Sequence, residues 1–301
     1  MDLLVQPNDG LTPILSAIKK AKSRIELTIF RFDRQELQKA LEQAVTRGVK
    51  VHVLIAHQAA GEGKKLRKLE LEMLEKGVTV SRTADDLVRY HNKMMLIDRE
   101  MLFLLGFNWA YLDIAKSRSM GIVTKHPRLV QEAVKLFQAD SMRQPYTAGL
   151  DSFLVSPENA RSGLAKFIKG AKKELLIYEM KISDKQMVAL LNERAKAGVD
   201  VRVIGRMTKK SDVIKIDKMP GMRLHLRAML RDGQEVFVGS QSLRALELDK
   251  RREVGVVVKD RRAARRFREL FEEDWANTSL GKELRKAAEK AEKKEEVAAA
   301  P

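Results

Sequence analysis

Residues 89–109 read RYHNKMMLIDREMLFLLGFNW, and residues 223–243 read RLHLRAMLRDGQEVFVGSQSL. Each stretch holds a histidine, a cation at +2, an aspartate at +7 and a small polar side chain at +17. These are His91, Lys93, Asp98 and Asn108 in the first, and His225, Arg227, Asp232 and Ser242 in the second. On a strand, residues i and i+2 face the same side, so each histidine shares its space with its cation. A chain of this composition throws up such a spacing about 0.1 times by chance. One match is therefore weak, and two at equivalent places in a repeat are strong.

The repeat extends in both directions. From His91/His225 to Phe137/Phe271 the offset is 225 − 91 = 134. Upstream, Val5-Gln6-Pro7 answers Val155-Ser156-Pro157, and GVKVHVLI from Gly48 answers GVDVRVIG from Gly198, at an offset of 157 − 7 = 150. The second copy is thus 150 − 134 = 16 residues shorter, with the loss between its Gly-Val strand and its histidine. IELTIFRF and ELLIYEM have the apolar content of strands, while ELQKALEQAVTRG and KQMVALLNERAKAG have helical spacing and stop at Gly. A strand, a crossover helix and a further strand make a parallel βαβ unit. The fold class is therefore α/β, with a first lobe over residues 1–148, a second over 149–278 and a charged tail, helical or disordered, over 279–301. Pro and Gly in RQPYTAGLDS (143–152) mark the join.

The chain has 58 Lys+Arg against 41 Asp+Glu, a net charge of +17, and no cysteine. It cannot form a disulfide framework, a thiolate zinc site or a cysteine nucleophile. No run approaches the roughly 18 uninterrupted apolar residues of a membrane span. The N-terminal MDLLVQPNDG lacks the basic and apolar regions of a signal peptide, so a cytoplasmic protein is expected. The positive surplus favours a polyanionic partner, either nucleic acid or an anionic membrane touched peripherally. Candidate basic clusters are Lys64-Lys65-Arg67-Lys68, Lys169-Lys172-Lys173 and the arginine row from Arg261 to Arg268.

The paired motif resembles the duplicated HxKxxxxD signature of the phospholipase D superfamily. GFNWAYLDIAKSRSMGIV and FVGSQSLRALELDKRREVGVVV are similar to phrases of its bacterial phospholipase D-like and cardiolipin synthase-like members. The resemblance covers about residues 3–277. It implies two α/β lobes about a pseudo-two-fold axis, both histidines at the lobe interface, and phosphodiester chemistry without a metal. It also implies His91 as nucleophile and His225 as general acid/base.

The residue types suit that chemistry. A phosphodiester anion repels nucleophiles, and Lys93 and Arg227 would neutralise its non-bridging oxygens, with Asn108 and Ser242 as neutral donors. One imidazole attacks phosphorus while the other carries the proton, and a group with an ordinary pKa of about 6.5 suits both tasks. No carboxylate cluster at metal-ligand spacing accompanies them, so no metal or cofactor is expected. The second copy departs from the family pattern with Arg227 for lysine and Ser242 for asparagine. At 28 residues past each histidine stand Ser119 and Glu253, so Glu253 is the expected orienter of His225, and His91 has at most the Ser119 hydroxyl. Asp98 and Asp232 are expected to be structural. The insert over 57–90 is expected to line one rim of the cleft. The substrate classes are a glycerophospholipid, hydrolysed or transferred, and as an alternative DNA or RNA. A third reading is a non-catalytic phosphate-binding module. Because one chain carries both copies, a monomer is expected.

Overall fold

The computed structural model describes residues 1–57, 63–209 and 211–298. The first lobe runs β1 (Asp2–Gln6), α1 (Thr12–Lys20), β2 (Arg24–Ile29), α2 (Gln35–Thr46), β3 (Lys50–Ile55), α3 (Gly63–Glu75), β4 (Thr79–Arg82), β5 (Arg89–Tyr90), β6 (Met94–Ile97), β7 (Met101–Leu105), α4 (Tyr111–Ala115), β8 (Ser117–Thr124) and α5 (Pro127–Met142). The second runs β9 (Phe153–Val155), α6 (Ala160–Lys169), β10 (Glu174–Ile182), α7 (Lys185–Lys196), β11 (Asp200–Met207), β12 (Lys215–Asp217), β13 (Arg223–Leu224), β14 (Arg227–Arg231), β15 (Glu235–Gly239), α8 (Ala245–Asp249), β16 (Arg251–Arg252), β17 (Val254–Lys259) and α9 (Arg261–Ala276). The tail forms a helix, α10 (Ser279–Ala298).

The two sheets repeat one strand order. It is β1-β8-β7-β6-β2-β3-β4 in the first lobe and β9-β17-β15-β14-β10-β11-β12 in the second. Three strands are parallel at one edge, β2-β3-β4 and β10-β11-β12, and the rest antiparallel. The central strands are buried on both faces and read as continuous apolar runs. In β6, Met94 and Leu96 face a core shared by both lobes, and Met95 and Ile97 face the outer core of the first. That shared core includes α5 and α9, while α1, α2 and α3 cover the outer face of one sheet and α6 and α7 that of the other.

The length difference between the copies is α3. Of the insert, residues 58–62 lie outside the described residues. Its α3 packs on the outer face of the sheet beside the edge strand β4, Ala84 and Leu87 pack with Phe30 and Tyr90, and among the described residues Val88 to Tyr90 bond to the other lobe. In the second lobe a short link joins β11 directly to β12.

The lobes meet through two equivalent strand pairs. Arg89 and Tyr90 pair with Arg251 and Arg252, and Arg223 and Leu224 pair with Ser117 and Arg118, the second set being the first shifted by 134. Gly106 permits close approach there, since a Cβ on it would stand 3.0 Å from the Gly239 carbonyl oxygen. The arginine row of α9 turns partly inward. Arg266 grips Asp9 at 2.8 Å and the Leu3 carbonyl at 2.6 Å, Arg262 pairs with Asp2, and Arg268 with Glu174. Much of that row ties the N-terminal strand and the second lobe to α9 and is not a free basic face. Lys172 and Lys173 sit by the β14–β15 turn, at the opposite end of β14 from His225. The side chains of Lys64 and Lys65 lie outside the described residues.

Candidate active site

Each histidine sits just past a two-residue strand that pairs with the other lobe. The His91 amide donates to the Arg252 carbonyl at 2.8 Å, and the His225 amide to the Arg118 carbonyl at 3.0 Å. The site is therefore built from both halves before any side chain is considered. His91, Lys93, Asn108, His225, Arg227, Ser242 and Glu253 are all buried.

His91 Nδ1 lies 3.0 Å from both carboxylate oxygens of Glu253. The Phe30 ring meets the imidazole edge-on at 4.5 Å. Lys93 Nζ donates to the His91 carbonyl at 2.6 Å and lies 2.8 Å from His91 Nε2. Across the interface, His225 Nδ1 stands 3.3 Å from Asp113 Oδ2. That oxygen accepts from the Asn108 amide at 2.9 Å and from Asn108 Nδ2 at 2.6 Å, while Asp113 Oδ1 accepts from Arg223 at 2.7 Å. Arg227 Nε donates to Ser242 Oγ at 3.2 Å, and its Nη1 is buried with no hydrogen-bond partner among the described residues.

The carboxylates cross over. Glu253 orients His91, from the opposite lobe, and not His225 as its place in the sequence suggests. The lobe contact delivers β16 and the residue after it to the partner histidine. Ser119 reaches neither ring, its hydroxyl donating to the Asp113 carbonyl at 2.9 Å. The motif spacing does not single out Asp113. Its signal is an acid 22 residues past each histidine, Asp113 and Glu247 (113 − 91 = 247 − 225 = 22). Glu247, however, is taken by Arg251 at 3.0 Å and Arg244 at 3.2 Å.

Asp98 and Asp232 lie away from the site at equivalent turns. Asp98 accepts from the amides of Lys22, Ser23 and Arg24, and Asp232 from those of Lys172, Lys173 and Glu174. Of the other histidines, His52 bonds Ser81 Oγ at 2.7 Å and packs against Phe137, and His126 leads into α5.

The charges reach across the interface too. Burial pushes His91 well below its ordinary value, and Lys93 and the other lobe's Arg227 push it further. Burial also pushes His225 down, with Arg227 and Lys93 adding and Asp113 opposing. Burial pushes Lys93 down to about 7 against the pull of Glu253, and pushes Glu253 up to about 7 against Lys93. Burial alone would raise Asp113, but His225, the Asn108 groups and Arg223 hold it below its ordinary value. Around the first histidine, Arg89 lies over Phe30 at 5.3 Å and within the field of Arg251 and Arg31.

Two imidazoles, each beside a carboxylate from the opposite lobe and sharing a buried lysine and arginine, define a duplicated α/β protein with one polar site built from both halves. The chain belongs to the phospholipase D superfamily, and within it to the family of the cardiolipin synthase phospholipase D-like domain, whose model matches residues 14–141 and 164–275. It is 27% identical over 131 residues to a mitochondrial cardiolipin hydrolase of Danio rerio, covering 42% of this chain and 56% of that protein. It is 24% identical over 135 residues to the Mus musculus protein of the same name, covering 45% of this chain and 59% of that one. The chain thus spans about half the length of the curated relatives it matches. Among solved structures, a polyphosphate kinase from Porphyromonas gingivalis superposes with a TM-score of 0.75 at 22% identity, covering 90% of this chain and 49% of the other. A phosphatidylserine synthase from Haemophilus influenzae superposes with a TM-score of 0.63 at 11% identity, covering 87% of this chain and 83% of the other. At these identities the likeness is one of fold.

Proposed function

We propose that this chain is a phosphodiesterase that hydrolyses or transfers the phosphatidyl group of a glycerophospholipid through a phospho-histidine. The observation that carries it is the crossed pair His91/Glu253 and His225/Asp113 around Lys93 and Arg227. His91 is the nucleophile. Its surroundings keep the ring neutral, Glu253 holds Nδ1, and Nε2, which lies 2.8 Å from Lys93 Nζ, becomes the attacking atom once that ammonium turns to the substrate oxygens. His225 is the proton carrier: burial, Arg227 and Lys93 push it down as well, but Asp113, held ionised by Arg223 and Asn108, opposes them there, whereas every large influence on His91 pushes that ring down.

In the first step His91 Nε2 bonds to phosphorus, the bond from phosphorus to the leaving oxygen breaks, and that oxygen takes the His225 proton. In the second, water or an acceptor alcohol gives a proton back to His225, its oxygen bonds to phosphorus, and the phosphorus–nitrogen bond breaks. Lys93 and Arg227 balance charge on the non-bridging oxygens, with Asn108 and Ser242 as neutral groups beside them. One chain holds both halves of the site, so we propose a monomer, working in the cytoplasm at the surface of an anionic membrane.

The net charge of +17 supports a second reading, a nuclease, while 5% aromatic residues leave few stacking platforms for bases. The test is a panel of phospholipid vesicles, DNA and RNA in excess EDTA, run with the parent, His91→Ala and His225→Ala. Head-group release that both substitutions abolish, with a phosphoryl label trapped on His91 in His225→Ala, is the expected result. Cleavage of nucleic acid alone moves the assignment to the nuclease. Phosphate binding without turnover, unchanged in His91→Ala, leaves a non-catalytic module.

A further inference from the structure

The duplication lets one lobe serve as a control for the other. Beside His91, the side chains of Phe30, Ala56 and Tyr90 are buried against one another, with Ala84 and Leu87 packed on them. The repeat places Met180, Arg206 and Leu224 at the first three positions (30 + 150 = 180, 56 + 150 = 206, 90 + 134 = 224). In the second lobe that plug is replaced by a cavity of about 360 Å³. Met180, Met219, Met222 and Leu224 form its apolar lining, and Arg206, Lys218 and Arg223 stand in the same wall. The backbone differs as well. β10 shifts register between Glu179 and Ile182, and β11 follows through Gly205, where a Cβ would overlap the Glu179 carbonyl oxygen.

The cavity adjoins the reacting centre. Leu224 precedes His225, and Arg223 donates to Asp113, the carboxylate beside the His225 ring. We infer that it receives the alcohol that leaves or enters through His225, and that this alcohol is small and anionic, of the size and charge of glycerol phosphate. This rests on the proposed role of His225 as proton carrier.

Four features point to the class. Arg206 and Lys218 make no ion pair among the described residues, so they present charge to a ligand, and a cationic alcohol such as choline would be repelled. Methionine side chains adapt their shape to an alkyl backbone. The lining contains no aromatic ring on which a nucleobase could stack, which favours a lipid alcohol over a nucleic acid. The volume lies at the small end of ligand pockets, suited to a head group and not to acyl chains.

The test has a binding arm and a turnover arm. In the first, glycerol 3-phosphate, glycerol, choline and inorganic phosphate are titrated calorimetrically onto the whole chain, onto Arg206→Ala/Lys218→Ala and onto Met180→Phe, which restores the first lobe's ring. Glycerol 3-phosphate should bind the parent about tenfold or more tighter than glycerol or choline, and lose about tenfold in either variant, while inorganic phosphate is unmoved by Met180→Phe. In the second, release from a lipid with a phosphate-bearing head alcohol should show a raised KM in both variants, and Arg206→Ala/Lys218→Ala should narrow the preference for that lipid over phosphatidylcholine about tenfold. Glycerol 3-phosphate binding without lipid turnover sustains this inference while ending the proposed activity. Lipid turnover with no glycerol 3-phosphate binding overturns the inference and leaves the activity. Equal loss of inorganic phosphate in Met180→Phe, or binding of a short oligonucleotide that this variant weakens, also overturns it.

Discussion

At the scale of single residues, the two imidazoles differ in what stands behind them, and the difference can be measured. Asp113→Asn removes the ionised partner of His225, and Glu253→Gln the partner of His91. Each should lower turnover of a natural diester by roughly 10² to 10⁴, the range set by loss of an orienting carboxylate. With bis(4-nitrophenyl) phosphate, whose leaving group needs no proton, activity in Asp113→Asn should largely return while Glu253→Gln stays slow. The reverse pattern would exchange the roles of the histidines. The pH profile follows from the same environment. The acid limb lies below the ordinary histidine value, where His91 takes up a proton and can no longer attack. The alkaline side has two contributors: His225, which carries the proton and is itself pushed below its ordinary value, and Lys93, which loses its charge near 7. Lys93→Arg keeps its charge to far higher pH, so in a kcat/KM profile the fall above about 7 should become shallower, leaving the part set by His225. A limb unchanged in that variant would put the titrating group elsewhere. The histidines, their cations and Glu253 are legible in the sequence because spacing along a chain records them. Which carboxylate meets which histidine is not, because that is fixed by β5 and β13 pairing across the interface, between residues more than a hundred positions apart.

At the scale of elements, the aspartates of the two motifs hold strands and not protons. Asp98, at a φ of +55°, gathers the amides that open β2, and Asp232, at +51°, does the same for β10. These strands lie beside β6 and β14, so the turn sets the register on which the site depends. Burial would raise the Asp98 carboxyl, but the amides of Arg24, Ser23 and Lys22 hold it below its ordinary value. Its contribution to stability is therefore present above the ordinary carboxyl value and lost as pH falls through the folded one. Asp98→Asn tolerates the same backbone, and should lower stability by about 1–2 kcal/mol at neutral pH. It should also flatten the decline of stability below about pH 4, read from urea midpoints across pH. An unchanged acid limb would remove the charge from the account. The strand and helix order was open to reading from periodicity. Which part of the insert nears the site was not: its helix shows only an amphipathic pattern, and the residues packed on the Phe30 ring beside His91, Ala84 and Leu87, are placed there by the fold.

At the scale of the molecule, the lobes are bound by a second symmetric device. Arg118 of β8 reaches Asp274 of α9 with two bonds of 2.8 Å, and Arg252 of β16 reaches Asp140 of α5 at 3.1 Å. Both arginines and both aspartates repeat at 134 (252 − 118 = 274 − 140), and all four are buried. Each pair joins a strand of one lobe to the closing helix of the other. The same strands supply the carbonyls that hold the histidine amides, so the clamp and the site share a backbone. Breaking a buried pair leaves a charge with no partner, which costs about 3–5 kcal/mol, whereas replacing both members with apolar groups can be nearly neutral. Asp274→Leu also removes the nearer acceptor of the Tyr178 hydroxyl, at 2.6 Å, and leaves it the Leu270 carbonyl at 3.2 Å. We expect Arg118→Met and Asp274→Leu each to lower the denaturant midpoint sharply, and the double variant to recover most of that loss. Asp140→Asn is the milder change. Burial pushes that carboxyl up to about 7 against Arg252, so its stabilising contribution is present at low pH and lost as pH rises through that value, a dependence the amide removes. Because α5, α9 and both sheets share one core, the parent should unfold in a single calorimetric transition, and so should the double variant. Two resolved transitions, or single losses that simply add, would mean that each lobe holds its own histidine in place and that the interface contributes only proximity.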